Sequence, residues 1–151
     1  MDCTIRPMRE TDLSDLCALL SDAEVMRWIE PPFSREQTKD FLEKAGLSVP
    51  PLIYAAEDAG GEFIGYVIYH DYDGENKEIG WLLKREAWGK GYAQALTARM
   101  LKMAGAEGKG AVIECAPAQA ATKHIARKFG FACRGNSGGC DVYFRARQQT
   151  M

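Results

Sequence analysis

The segment from residue 78 to residue 103 constrains the fold of this chain more than any other stretch. Ile79, Trp81 and Leu83 alternate along it and, with Leu82, form an apolar run that is typical of a central β-strand. A short polar turn and a loop with glycines follow, and from residue 92 the apolar residues recur at helical spacing. The segment therefore predicts a buried strand, a loop and an amphipathic helix in direct succession.

Two glycines, Gly89 and Gly91, lie where this helix is expected to begin. The first N–H groups of a helix have no partner within it, and the helix dipole favours negative charge at that end. A helix that begins at glycines can therefore bind phosphate, although two glycines also occur in ordinary turns. The chain has neither the G-x-x-x-x-G-K-[ST] loop nor the third glycine of the dinucleotide fingerprint.

The run W-G-K-G-Y-A, from Trp88 to Ala93, resembles motif A of the GNAT superfamily of acetyl-CoA-dependent N-acetyltransferases, [QR]-x-x-G-x-[GA]. Trp88 stands where Gln or Arg is usual, and with the preceding E-I-G-W-L-L the run is similar to the branch of ribosomal-protein N-terminal (alanine/serine) acetyltransferases. The resemblance implies acetyl-CoA as acetyl donor, with its pyrophosphate on the loop amides and its pantetheine arm along nearby strand backbone. The residues that it assigns to the cofactor are Leu83, Trp88, Gly89, Lys90, Gly91, Tyr92, Ala93, Gln119 and Thr122.

A second stretch, residues 119–131, resembles the GNAT motif-B pattern N-x-x-[SA]-x-x-x-x-x-K-x-G-F. The final Lys, Gly and Phe match, Thr122 occupies the Ser/Ala position, and Gln119 replaces the Asn that contacts pantetheine in the family. Many members carry a tyrosine four residues before the glycine as the acid for the CoA thiolate, and Ala126 occupies that place here. Taken alone, the stretch also fits a surface helix that ends at a glycine cap.

The remaining chain predicts short elements separated by turns. The helices are expected near residues 11–22, 34–45, 92–106 and 119–128, and the strands near 3–8, 52–57, 63–70, 78–84, 111–115, 131–134 and 140–145. This order, βααβββαβαββ, and the resemblance both imply an α+β fold: a GNAT-like mixed, mostly antiparallel sheet of about seven strands with helices on both faces. We expect one acetyltransferase domain over 1–151, with acceptor-side elements in 1–50, an acetyl-CoA-binding core in 52–134 and a terminal hairpin strand and tail in 135–151.

In this family the first two helices and their connection form the acceptor side. Trp28, Glu30 and Phe33 are therefore candidate walls of the acceptor pocket, and His70 is expected close to it. A packed corner formed by Trp28 and Phe33 is the alternative interpretation.

Acetyl transfer requires a neutral amine, so a base must take the amine proton directly or through water. Glu78 is the first candidate, because a Glu near this point is the base in several family members. Thr122, through its hydroxyl or a held water, is the candidate that protonates the thiolate. Cys115 is interpreted as a small core residue. Other possible bases are Glu57, His70, Asp71, Asp73, Glu75 and His124.

Charge is distributed unevenly along the chain. Residues 1–83 carry 7 Lys and Arg against 17 Asp and Glu, whereas residues 84–134 carry 10 against 3. The basic part contains the proposed phosphate loop and is suited to a polyanion such as CoA, and the acidic part to a cationic amine. The charge of each part is also compatible with an ordinary solvent-exposed surface that has no ligand. No nucleic-acid-binding motif is visible, so nucleic acid is not expected as a partner.

The cellular setting is predicted from cysteine usage and hydropathy. Five cysteines without C-x-x-C spacing indicate reduced thiols and neither a disulfide framework nor a metal site, although a hairpin would allow Cys133 and Cys140 to face each other. There is no apolar run of membrane-spanning length and no signal peptide, so we expect a cytoplasmic protein without a membrane partner. A monomer or a homodimer is expected, and the strand at residues 142–144 is one segment that could pair across a dimer.

Two other functions remain open at this point. A non-catalytic acyl-CoA-binding module is compatible with Gln119 and Ala126 at the places of the usual Asn and Tyr. A module that binds another phosphorylated ligand, such as a nucleotide, would use the same glycine loop. The favoured hypothesis is an N-acetyltransferase that acts on a primary amine, with a protein N-terminus or a small amine as acceptor.

Overall fold

The computed structural model describes residues 2–148, which contain seven strands and four α-helices in the order βααβββαβαββ. The strands are β1 (Cys3–Pro7), β2 (Ile53–Asp58), β3 (Phe63–Asp71), β4 (Asn76–Leu83), β5 (Gly110–Cys115), β6 (Ala132–Ser137) and β7 (Cys140–Arg145). The helices are α1 (Leu13–Leu20), α2 (Arg35–Phe41), α3 (Tyr92–Ala106) and α4 (Ala120–Lys128), with 3₁₀ turns at Glu10–Asp12 and Arg85–Ala87 and a π-helical turn at Leu42–Gly46. No helix within residues 2–148 is long and apolar enough to cross a membrane.

All seven strands form one sheet in the order β1-β2-β3-β4-β5-β7-β6. Every neighbouring pair is antiparallel except β4 and β5, so the predicted mixed, mostly antiparallel α+β sheet is confirmed. Strand β7 lies between β5 and β6, and both of its edges are therefore paired within the chain. The expectation that residues 142–144 pair with a second copy is wrong, because these residues are inside the sheet.

The sheet separates two apolar cores, and helices cover both faces as predicted. One core joins α3 and α4 to the sheet through Ile79 and Leu83 of β4 and through Leu96 and Met100 of α3. The other joins α1 and α2 to the opposite face, which includes Leu82. Successive strand residues point to opposite faces, so β4 contributes alternately to the two cores.

A capping box fixes the start of α2. The Ser34 hydroxyl accepts a 3.2 Å hydrogen bond from the Gln37 N–H, and the Gln37 side chain accepts a 2.8 Å bond from the Ser34 N–H. This capping box satisfies two backbone donors at the helix N-terminus. It fixes the point at which the connection between α1 and α2 ends.

Strands β4 and β5 pair over only three positions, from Asn76 opposite Gly110 to Glu78 opposite Val112. Strand β4 then continues to Leu83 and β5 to Cys115 without further pairing between them. The two parallel strands therefore diverge, and the backbone edge of β4 from residue 79 onward has no strand partner on the β5 side. Backbone groups left at such an edge are available to hydrogen-bond a ligand.

Candidate active site

A cavity of about 590 Å³ lies where β4 and β5 diverge. It is bounded by the end of β4, the loop before α3, the first turns of α3 and α4, and the connection between α1 and α2. All three tryptophans of the chain line it. The lining residues are Glu24, Val25, Arg27, Trp28, Trp81, Leu82, Leu83, Ala87, Trp88, Gly89, Gly91, Tyr92, Ala93, Gln94, Gln119, Ala121, Thr122 and Ile125.

One end of the cavity lies against the segment 89–94, whose backbone amides are unpaired and which we call the phosphate cradle. Within residues 2–148, none of these six N–H groups donates a hydrogen bond, and the first bonded amide is that of Ala95, 3.1 Å from the Gly91 carbonyl. Gly89 and Gly91 have φ angles of 72° and 88°, a conformation that side chains disfavour. Six free donors at the N-terminus of a 15-residue helix form a site suited to an anion.

Trp88 connects the phosphate cradle to the free end of β4. Its indole N–H donates a 2.8 Å hydrogen bond to the Leu83 carbonyl, and the side chain remains 47% exposed at the cavity. The ring therefore fixes the cavity wall between the cradle and the strand. Lys90, which was predicted to contact the cofactor, is exposed in the same loop but does not line the cavity.

Helix α4 presents Gln119, Ala121, Thr122 and Ile125 to the cavity. The Gln119 side chain accepts a 2.7 Å hydrogen bond from the Ala116 N–H, so it stabilises the preceding turn and does not cap the helix. Ala126 is completely buried in the core that lies under α3 and α4. The position of the usual family tyrosine therefore faces the core in this chain, and Thr122 supplies the hydroxyl on the cavity side.

The predicted acceptor residues lie in three different environments. Trp28 lines the main cavity and is 43% exposed, and Glu30 lies in an adjoining shallow depression with Ile29. Phe33 packs edge-on against Phe41, 6.0 Å between ring centroids, and does not line the cavity. This position agrees with the alternative interpretation of Phe33 as part of a packed corner.

Glu78 and His70 lie opposite each other on β4 and β3, on the sheet face that α1 and α2 partly cover. The His70 Nδ1–H donates to the Asp71 carbonyl at 2.9 Å, which leaves Nε2 facing Glu78 Oε1 at 3.7 Å. Burial raises the pKa of the Glu78 carboxyl, with His70 acting to lower it and Glu114 to raise it. Neither Glu78 nor His70 lines the cavity, so water would have to connect the carboxylate to a bound amine.

Within residues 2–148, the cysteines and acidic groups form neither a disulfide nor a cluster suited to a metal ion. All five cysteines are free, and Cys133 lies opposite Tyr143 in the sheet and not opposite Cys140. Cys115 is buried in the core, where desolvation raises the pKa of its thiol. Within residues 2–148, no group of three or more His, Cys, Asp or Glu side chains is arranged to hold a metal ion.

The profile of the Acetyltransferase (GNAT) domain matches residues 2–132. The chain belongs to the GNAT acetyltransferase family. This match extends from β1 to the start of β6 and includes both sequence motifs and the whole cavity.

Among individual relatives, the chain is 32% identical over 103 residues to the uncharacterized N-acetyltransferase YnaD of Bacillus subtilis (strain 168). That match covers 63% of this chain and 59% of the relative, so it spans less than two thirds of the relative's length.

Solved structures agree with the fold. A GNAT-family acetyltransferase from Bacillus anthracis superposes with a TM-score of 0.83 at 24% identity, covering 95% of this chain and 93% of that one. The spermidine N-acetyltransferase of Vibrio cholerae, in complex with CoA and spermine, gives a TM-score of 0.77 at 22% identity, covering 94% and 92%.

Several residues of this GNAT cavity were not expected from the sequence. The position of Trp81 in the cavity could have been predicted, because Trp81 alternates with Leu83 along β4 and therefore lies on the same face of the sheet. Glu24, Val25 and Arg27 had none, because the connection between α1 and α2 carries no recognisable pattern.

Proposed function

We propose that this GNAT protein is an acetyl-CoA-dependent N-acetyltransferase that transfers an acetyl group to a primary amine. The observation that carries the proposal is the phosphate cradle, which opens into one cavity with the free edge of β4 and the α1–α2 connection. A cofactor with a pyrophosphate at one end and a thioester at the other would extend from the cradle along β4. An acceptor would then reach the thioester from the side of Trp28.

The donor would be held mainly by backbone. The pyrophosphate would accept hydrogen bonds from the cradle amides, and the pantetheine arm would pair with β4 near Leu83. The Leu83 carbonyl already accepts the Trp88 indole N–H, and a carbonyl oxygen has a second lone pair for a pantetheine amide. Gln119 and Thr122 would line the other side of the arm.

The reaction would proceed by direct attack. The lone pair of the neutral amine forms a bond to the thioester carbonyl carbon, the carbon–sulfur bond breaks, and CoA leaves as a thiolate. Glu78 would receive the amine proton through water, and its raised pKa makes it a stronger base than an ordinary carboxylate. Thr122, or a water that it holds, would protonate the thiolate.

The acceptor is proposed only by class. The resemblance to the ribosomal-protein branch favours a protein N-terminus, and the Vibrio relative solved with spermine favours a small polyamine. Both acceptors are cationic before deprotonation, which agrees with the acidic first half of the chain and with Glu24 and Glu30 near Trp28. Thus the common feature is a primary amine.

The first test is a thermal-shift titration with acetyl-CoA, CoA, ATP and NAD. A ligand that binds only the folded protein raises the melting temperature with its concentration. We expect a shift with acetyl-CoA and CoA alone, accompanied by a change in tryptophan fluorescence because every tryptophan lines the cavity. The absence of a shift with either CoA species would refute the proposal.

The second test is CoA release from acetyl-CoA with a panel of amines and N-terminal peptides. Glu78→Gln should retain the thermal shift and lose about 100-fold or more in turnover, the usual effect of removing a general base. Glu43→Gln, an exposed carboxylate on the π-helical turn, is the matched control and should keep wild-type turnover.

A non-catalytic acyl-CoA-binding module is the second candidate. It is favoured by Ala126, which leaves no tyrosine at the usual thiolate-acid position. This candidate predicts the same thermal shift but no CoA release with any amine.

A further inference from the structure

A salt bridge joins the two walls of the cavity. The Nε–H of Arg85 donates to Asp22 Oδ2 at 2.7 Å, across 63 residues of sequence. Arg85 precedes the phosphate cradle, and Asp22 begins the stretch of residues 22–29, which we call the acceptor segment. Within residues 2–148, no other hydrogen bond or ion pair connects the acceptor segment to residues 85–94.

On the acceptor side, Asp22 determines how the segment begins. Its Oδ1 accepts the Glu24 N–H at 3.0 Å, and its backbone carbonyl accepts the Met26 N–H at 3.0 Å. The segment consists of turns without helix or strand, and it contributes Glu24 and Trp28, among others, to the cavity. The carboxylate that holds this turn is therefore the same group that binds Arg85.

On the cofactor side, Arg85 begins the 3₁₀ turn Arg85–Ala87. Its carbonyl accepts the Trp88 N–H at 3.0 Å, and Ala87 anchors the turn in the core. The phosphate cradle follows directly after Trp88. This short turn is therefore the covalent connection between the cradle and the guanidinium group that binds Asp22.

We propose that Asp22 and Arg85 are positioning residues that couple the two halves of the cavity, so that CoA bound at the phosphate cradle orders the acceptor segment. The inference rests on the proposed function, because it takes the cavity to be the site of both substrates. The Arg85 side chain is 55% exposed, and exposed ion pairs add little to folding stability. The structure therefore assigns the pair a role in positioning the two walls, and the effect of that role on the acceptor segment is measured with CoA bound.

Hydrogen–deuterium exchange of the full chain with and without CoA tests the coupling. In the wild type we expect CoA to slow exchange in residues 89–94 and also, by about fivefold or more, in residues 22–29, as ordering of a loop does. In Arg85→Gln the cradle should remain protected, whereas protection of residues 22–29 falls to less than about twofold.

Two further variants separate the ion pair from the turn. Asp22→Asn keeps an oxygen for the Glu24 N–H but loses the charge, so it should resemble Arg85→Gln. Arg85→Lys keeps the charge and should restore most of the protection. Lys84→Gln is the matched control: it is the neighbouring cation, its 3.3 Å partner Glu62 lies outside the acceptor segment, and it should behave as the wild type.

The outcomes are distinguishable. If CoA protects neither region of the wild type, the proposed function fails. If CoA protects the cradle but leaves residues 22–29 unchanged, or if Arg85→Gln retains protection of residues 22–29, only the coupling is overturned.

Discussion

The indole nitrogen of Trp88 lies 2.8 Å from the carbonyl oxygen of Leu83, to which it donates a hydrogen bond. These residues mark the two parts of the cavity that a CoA molecule would contact, the loop before α3 and the free end of β4. Trp88 occupies the motif-A position where Gln or Arg is usual. Trp88 therefore lines the cavity and also has a structural role, because its hydrogen bond sets the distance between the loop and the strand.

Trp88→Phe tests this role, because phenylalanine keeps a ring and loses the N–H donor. A net hydrogen bond is worth about 1 kcal/mol, so we expect CoA affinity to fall by roughly fivefold. Calorimetric titration with CoA measures the change. Tyr72→Phe removes a comparable 2.9 Å hydrogen bond, to Glu114, outside the cavity and should leave CoA affinity unchanged. Equal affinity of Trp88→Phe and wild type would contradict the role.

Gly91→Ala tests the phosphate cradle. An alanine in the left-handed conformation costs about 1–2 kcal/mol, so the melting temperature should fall by roughly 2–8 °C. Gly61→Ala is a matched control, because Gly61 has a φ of 81° against 88° for Gly91, and neither position has an atom within 4 Å of an added Cβ. Both variants should lose similar stability, but only Gly91→Ala should weaken CoA binding, by about tenfold. Equal CoA affinity of the two variants would show that the cradle amides do not bind the cofactor.

Local signals made much of this fold predictable. The capping box of α2 lies within four residues, from Ser34 to Gln37, so the sequence alone shows both partners. Likewise, Gly91 precedes the helical pattern of α3 directly. Features that depend on pairing between residues far apart in the sequence could not be predicted. The divergence of β4 and β5 follows from a register that stops at Glu78, and no residue near Glu78 encodes that stop.

The hairpin of β6 and β7 shows the same limit. Both strands are recognisable, but the sequence does not show which one pairs with β5, and the inner position of β7 contradicted the expected role of residues 142–144.

Phe33 illustrates the corresponding limit for the candidate site. An aromatic residue in a connection is equally compatible with a pocket wall and with a core, and only its contact with Phe41 distinguishes them. For the same reason the contact between Asp22 and Arg85 could not be predicted.

The environment of Glu78 predicts a pH dependence of stability. Burial raises the pKa of this carboxyl in the folded protein above its ordinary value, although His70 acts to lower it. Between the ordinary and the raised pKa, the folded state binds more protons than the unfolded state. The contribution of Glu78 to stability therefore decreases as pH rises through that window.

Denaturant unfolding of wild type and Glu78→Gln at pH 4 and at pH 7 measures this contribution. Because glutamine does not ionise, Glu78→Gln should gain stability relative to wild type as pH is raised. Glu43→Gln, an exposed position, should show no such gain. A relative loss in Glu78→Gln would mean that the pairing with His70 outweighs burial.

Thr122→Val tests the proposed source of the thiolate proton. Valine has nearly the shape of threonine, so contacts with the pantetheine arm should persist and CoA affinity should change little. Turnover should fall by about tenfold or more, because the hydroxyl would act only as CoA leaves. Steady-state kinetics with acetyl-CoA and an accepted amine gives kcat, and calorimetry gives the affinity. Thr4→Val, exposed on β1, should be unchanged in both.

The position of Ala126 is the reason that Thr122 is the residue to test. Ala126 is completely buried, so a tyrosine there would overpack the core and not reach the thiolate. Thr122 lies one helical turn before it and lines the cavity. If Thr122→Val retains wild-type kcat, the proton must come from solvent or from a group outside α4. If kcat and CoA affinity fall together, Thr122 contributes to binding and not to proton transfer.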